Sequence, residues 1–258
     1  MKNPENYFQS RRTVRRFSGR EVPPALVESI LERAVKAPTC GNMQLYTVIV
    51  TREPARREAL AAAHFNQPAA ADAPVLLTVC ADFNRFTRWC ALRGADAGFD
   101  NFLSFTSAVA DATALTQQIA TIAEMEGLGT CWLGTVTFNA PAISKLLRLP
   151  ELVVPVGALA LGWPAEEGEE TERLPMQAVV AQEEYPEWSD GEVLRLFKSK
   201  EEYAPNMGYV KENGKDNLAQ VFAEVRYPRS MNESLSEVFL KYLAEQGFLP
   251  EACAAEQK

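Results

Sequence analysis

Histidine is nearly absent: His64 stands alone in 258 residues. A Ser-His-Asp centre or a multi-histidine metal site would have to be built around that one side chain. It follows Leu60-Ala61-Ala62-Ala63 at the end of an expected helix. A histidine there more often packs, or meets the helix dipole, than catalyses. Cysteine offers little more. The five residues, at 40, 80, 90, 131 and 253, are odd in number and form no CxxC, which argues against a disulfide framework or a zinc site. Long apolar runs are missing as well. The nearest candidate, Phe102 to Met125, carries Asp111, Glu124, two Gln and several Ser and Thr, so it reads as a buried helix and not as a bilayer span. The start, Met1-Lys2-Asn3-Pro4-Glu5-Asn6, lacks the apolar core of a secretory signal. Positive charge is scarce: 26 Lys and Arg against 34 Asp and Glu give −8. That balance disfavours nucleic acid and anionic membranes as partners, and the expected location is the cytoplasm.

Against this acidic background one basic stretch stands out, Ser10-Arg11-Arg12-Thr13-Val14-Arg15-Arg16-Phe17. The first twenty residues hold Lys2 and five arginines against Glu5, a charge of +5, which leaves −13 on the other 238. Planar guanidinium forks with a neighbouring hydroxyl suit phosphate and carboxylate. A solvated basic loop is the plain alternative. Gly127, Gly129 and Gly134 lack GxGxxG spacing, and no GxxxxGK[ST] exists, so any bound phosphate must be held by side chains.

Along the chain, Pro4 to Ser10 reads as one or two helical turns and Pro23-Pro24 opens a helix with its apolar face at Leu26, Val27, Ile30 and Leu31. Leu45–Thr51, Pro74–Cys80 and Val153–Leu161 read as buried strands, Pro54–His64 as a helix. The stretch from about Asn101 to Glu126 reads as a long helix buried nearly all round, inside a domain or a subunit interface. Asn139 is expected to cap a helix, and Ser230-Met231-Asn232-Glu233 to form a capping box for a last helix over 230–247. Residues 182–229 show no core pattern and read as a surface excursion. Helices interleaved with a few buried strands point to a single α+β or α/β domain over 1–258.

In order along the chain, Arg11-Arg12-Thr13-Val14-Arg15-Arg16-Phe17, Ala37-Pro38-Thr39-Cys40-Gly41-Asn42-Met43-Gln44, Gly127-Leu128-Gly129-Thr130-Cys131-Trp132-Leu133-Gly134 and Gly162-Trp163-Pro164 resemble the FMN-dependent nitroreductase family. His64-Phe65-Asn66-Gln67-Pro68, Cys80-Ala81-Asp82-Phe83-Asn84-Arg85 and Arg173-Leu174-Pro175 are similar to its NADPH-linked subgroup of oxygen-insensitive nitroreductases and flavin reductases. The resemblance implies an α+β sandwich, a central sheet flanked by helices, in an intertwined homodimer with FMN at the interface. It implies that Arg11, Arg12, Thr13 and Arg15 meet the FMN phosphate, ribityl chain and pyrimidine edge. Pro38, Thr39, Cys40 and Asn42 would come from the partner chain, Gln67 would contact the isoalloxazine, Leu133, Gly134 and Thr135 would lie along its edge, and Arg173 would return to the phosphate. Thr171 stands where the subgroup commonly has Lys.

The implied activity is ping-pong hydride transfer from NADPH or NADH to a small-molecule acceptor: a nitroaromatic, a quinone or a free flavin. The cofactor would carry the chemistry, so no catalytic acid or base and no metal is expected. An activated alkene as acceptor, or a module that binds FMN without turnover, are the alternatives. Arg226 and Arg229 are the candidates for the 2′-phosphate of NADPH. Cys40 and Cys131 read as small buried residues, and Trp132 and Trp163 as packing residues.

Overall fold

The computed structural model describes residues 4–250, with side chains from Tyr7 onward. The backbone falls into two compact units, one of residues up to 169 together with those from 237, the other Glu170–Ser236.

The first unit is built on a four-stranded antiparallel sheet in the order β1-β2-β4-β3: β1 Tyr46–Thr51, β2 Val75–Asp82, β3 Gly129–Trp132 and β4 Val153–Gly162. β2 is buried at every position, which explains why it is apolar apart from Thr78 and Asp82. Its side chains alternate between two helical layers. Val75, Leu77 and Val79, with Leu159 and Leu161 of β4, pack against α2 (Pro24–Ala34) and α6 (Phe102–Met125). Leu76, Ala158 and Ala160 face α3 (Pro54–Ala63), α4 (Pro68–Asp72) and α8 (Ala140–Leu147). A third cluster joins Phe83, Phe105 and Val154 to Tyr242, Leu243 and Phe248 at the end of the chain. This is the expected α+β arrangement of a sheet between helices.

α1 (Pro4–Ser10) leads into the arginine stretch, which runs extended. Isolated bridges, Thr13 to Glu169 and Phe17 to Pro164, fix it to the segment after β4, and a Val14 N–H donated to the Thr130 carbonyl (3.1 Å) fixes it to β3. The fit is tight, since a Cβ on Gly129 would sit 2.7 Å from Val14 Cβ. Gly127, at φ +90°, ends α6 in the left-handed region, and Leu128 N–H then returns to the Ala123 carbonyl.

Several expectations are corrected. Asn139 makes no capping bond; its amide donates instead to the Ala63 carbonyl (2.9 Å). The last helix, α13, spans Arg229–Glu245 and begins before Ser230. Asn232 N–H already bonds to the Pro228 carbonyl, so Ser230 lies inside the first turn and Glu233 pairs with Arg229 (3.4 Å). A capping box occurs elsewhere, Ser189 with Glu192. Three helices were not foreseen as such, α5 (Asn84–Leu92), α10 (Asp190–Glu201) and α11 (Ala204–Glu212); shorter ones are α7 (Thr135–Phe138), α9 (Met176–Val179) and α12 (Leu218–Gln220). After α12, Val221–Arg226 forms a π-helical turn. α6 is buried on the side facing the sheet, whereas Phe102 and Leu103 at its start are exposed. Among the described residues, no helix is long and apolar enough to cross a membrane.

Candidate functional site

In an extended chain alternate side chains share a side. Arg11 and Thr13 do so, linked by an Arg11 Nη1 to Thr13 Oγ1 bond of 3.4 Å. Arg15 continues the row; burial pushes the Cys131 thiol of β3 up, and the charges of Arg15 and Arg11 offset part of that. Glu166 accepts from the backbone N–H groups of Arg15 (2.9 Å) and Arg16 (3.2 Å). That fixes the main chain and leaves the Arg15 side chain exposed, with no ion pair among the described residues. Arg16 is occupied by Asp72 (3.0 Å). Arg12 reaches the Gly168 carbonyl (3.4 Å) and Glu167.

Beneath Arg11 lies a buried carboxylate that the sequence reading did not assign to the site. Glu124, on the last turn of α6, accepts from Tyr7 (2.7 Å), from Thr130 (2.5 Å) and from Arg11 (3.3 Å). Burial, with the Glu124 bond and charge behind it, pushes the Tyr7 hydroxyl up to about 12. A cavity of about 440 Å³ opens here, lined by Arg11 and Arg12 but also by Glu124, Glu166 and Glu167. Three carboxylates against two guanidinium groups do not make a seat for a dianion. The Thr13–Arg15 edge, outside that lining, has the better donor set: a hydroxyl and an unpaired guanidinium.

A second group joins two further predicted segments. His64 caps the C-terminus of α3, is almost fully buried, and meets Thr135 Oγ1 through Nδ1 at 2.9 Å. Burial pushes its imidazole down to about 4, so it is neutral at physiological pH and is a packing histidine. The bond draws the Phe65–Gln67 turn to the Leu133–Thr135 turn. Phe65 and Asn66 are left-handed, Gln67 is half-buried at the start of α4, and Leu133 donates to the Ala158 carbonyl (3.0 Å). A Cβ on Gly134 would meet nothing within 4 Å, so open space lies above this turn.

The Pro38–Gln44 segment is held elsewhere on α6. Cys40–Asn42 forms a 3-10 turn with Gly41, Asn42 and Gln44 all at positive φ. Cys40 is exposed, against expectation, while Cys131 is buried as expected. The turn bonds to Asp111 and within itself.

The remaining predicted residues lie in the second unit. Arg173 folds onto its own segment, reaching Thr171 Oγ1 (2.5 Å) and the Glu172 carbonyl (2.9 Å). Arg226 stacks on Tyr209 (4.4 Å) and Phe222 (5.4 Å). Arg229 is exposed on its pair with Glu233. Most other cations here have carboxylate partners: Arg195 with Glu192, Lys198 with Glu202, Lys200 with Glu172 and Lys215 with Glu224.

The arginine row and the polar turns lie on a sheet sandwiched between helices. The chain belongs to the Nitroreductase family, whose model matches residues 8–163. It is 28% identical to an oxygen-insensitive NADPH nitroreductase of Salmonella typhimurium, over 92% of this chain and 94% of that one. It is also 28% identical to an FMN reductase [NAD(P)H] of Bacillus subtilis, over 84% of this chain and 90% of that one. A crystal structure from Bacteroides fragilis, described as an oxidoreductase candidate, is 42% identical, covers 95% of this chain and 99% of its own, and superposes with a TM-score of 0.92.

Proposed function

We propose that this protein is an FMN-dependent oxidoreductase that takes a hydride from NADPH or NADH and delivers it, in a ping-pong cycle, to a nitroaromatic, a quinone or a free flavin. The observation that carries the reading is the Arg11-Thr13-Arg15 row with the unpaired Arg15 guanidinium, in a chain of this family. The donor set fits FMN: its phosphate carries about two negative charges, and guanidinium groups pair with such an anion in forked bonds. When bound, FMN supplies the hydride chemistry.

The chain's own residues bind and orient. Thr13 and Arg15 hold the phosphate end, flanked by Arg11, which is paired with Glu124, and by Arg12. Gln67 and the Leu133–Thr135 turn, locked to each other by the His64–Thr135 bond, take the ring system. Thr39, Cys40 and Asn42 complete the site from a second copy, which makes the working unit a homodimer. Two features support that assembly: the turn is anchored near the middle of α6 and the arginine row on its last turn, and Phe102 and Leu103 are exposed at the helix start.

Anaerobic stopped-flow absorbance tests the reading. The FMN-loaded protein is expected to bleach on mixing with NADPH and to recolour on adding a quinone or nitroaromatic. A loaded protein that neither reductant bleaches contradicts the proposal and leaves FMN binding without turnover.

A further inference from the structure

The backbone of the Cys40–Gln44 turn is costly. Gly41, Asn42 and Gln44 stand at φ +54°, +55° and +53°; Gly and Asn tolerate this left-handed region, but Gln44 does not do so readily, and three such residues within four positions are uncommon. Such a conformation persists only where its surroundings over-determine it. Here one buried carboxylate holds both ends. Asp111, near the middle of α6, accepts the Cys40 N–H at Oδ1 (2.8 Å) and the Leu45 N–H at Oδ2 (3.3 Å).

Arg85 adds a second hold, donating to the Gln44 carbonyl (2.7 Å) and the Tyr46 carbonyl (3.1 Å). Within the turn, Gln44 N–H bonds to Thr39 Oγ1 (2.9 Å), and the Gln44 amide bonds to the Asn42 carbonyl (2.9 Å). Asp111 itself is 3% exposed and has no ion pair among the described residues. A carboxylate buried without a cation is expensive unless N–H groups satisfy it. Core stability alone would be served more cheaply by an apolar residue. What the carboxylate achieves is to fix the distance between the two ends of one turn.

We propose that Asp111 is a positioning residue for the cofactor: by clasping Cys40 and Leu45 it sets where Thr39, Cys40 and Asn42 meet FMN. The inference rests on the FMN reading above. The carboxylate also leaves a mark on the exposed Cys40 thiol, which a hydrogen bond to Asp111 raises above its ordinary value. Cys40 therefore reports on the clasp without any cofactor present.

The test uses the full chain with Cys90→Ser and Cys253→Ser, so that Cys40 is the reactive thiol. Asp111→Asn keeps the shape but presents an amide donor to one of the two N–H groups. In the FMN-free protein, Cys40 is expected to react with Ellman's reagent at least threefold faster in Asp111→Asn. FMN titrated into the same variant should bind about tenfold more weakly or worse, with an altered visible circular dichroism at saturation. Ile30→Val, a core change on α2, serves as the control with urea added until its stability matches. The control should keep FMN affinity within twofold.

If Asp111→Asn does not fold, Arg85→Gln replaces it, since Arg85 is largely exposed and its loss loosens the Gln44–Tyr46 side of the turn while leaving the Asp111 bonds in place. There a threefold or greater loss of FMN affinity supports the clasp. Equal FMN affinity in variant and control, with unchanged Cys40 reactivity, overturns the proposal while leaving the FMN reading intact. Wild-type protein that takes up no FMN overturns both.

Discussion

Asp111 and Glu124, the only charged residues of α6, are both buried, and each anchors a different predicted cofactor segment. Thirteen residues separate them, which is roughly 20 Å along the helix and about 140° around it. Glu124 fixes Arg11 of the arginine row, and Asp111 fixes the Cys40–Gln44 turn. One rigid helix thus places two parts of the candidate site, one near its middle and one at its C-terminal end. A homodimer that brings one chain's row to the other chain's turn would complete two equivalent sites.

Removing Glu124 is expected to be costly. Glu124→Ala leaves the Tyr7 and Thr130 hydroxyls and the Arg11 guanidinium without their acceptor. Loss of one partner from a buried charged network costs about 3 kcal/mol, discounted toward 2 because Arg11 is partly solvated. Urea denaturation of the FMN-free variant measures this directly. A change below 0.5 kcal/mol would show the network to be incidental.

Stability should also fall on acidification through His64. Its folded value of about 4 lies below the ordinary 6.5, so the unfolded chain binds the proton more readily. The contribution is fully present above pH 6.5 and is lost as pH falls from 6.5 toward 4, at most about 3 kcal/mol. Substituting His64→Gln, which can keep a bond to Thr135, should flatten that part of the pH profile. Parallel urea midpoints at pH 7, 6, 5 and 4.5 for both proteins provide the comparison.

Gly129→Ala is expected to disturb the arginine row through sterics alone. Its new Cβ would press on Val14 at 2.7 Å, costing about 1–3 kcal/mol. Val14→Ala in the same chain should restore part of the loss, a coupling that thermal melts of the double-mutant cycle would reveal. Strictly additive effects would place the strain elsewhere.

The structure separates the two candidate arginines for reductant choice. Arg226 stacks on aromatic rings with no carboxylate partner among the described residues, whereas Arg229 is engaged by Glu233. Arg226→Ala should therefore lower the ratio of kcat/KM for NADPH over NADH by about tenfold, the size of one charge-assisted phosphate contact. Arg229→Ala should change it little. Steady-state kinetics at low salt will show whether the ratio responds to one substitution, to both or to neither.

Much of the site was legible because its parts are local. The arginine row is contiguous in sequence, and the turns at Pro38–Gln44 and Gly127–Gly134 carry their own glycines and small polar residues. The buried strands were legible because β2 and β4 are covered on both faces and so lack polar alternation. The anchors were harder to read. Asp111 and Glu124 were visible only as two charges in an apolar helix, and nothing local tells that they reach back 66 residues to Leu45 and 113 to Arg11. The capping box at Ser230 failed because Pro228 already starts the helix, so a correct local motif fell inside the first turn. Helices α10 and α11 went unseen because their apolar faces are narrow. Leu196 of α10 and Asn206 of α11 are their only buried residues.

The central claim is that the Arg11-Thr13-Arg15 row holds the phosphate of FMN. Titrating cofactor-free protein with FMN and with riboflavin, which lacks the phosphate, tests it most directly. Two or three charge-assisted contacts predict a preference for FMN of about a hundredfold or more, shrinking by about tenfold in Arg15→Ala. Equal affinity for the two flavins, or a preference that survives Arg15→Ala unchanged, would contradict the account.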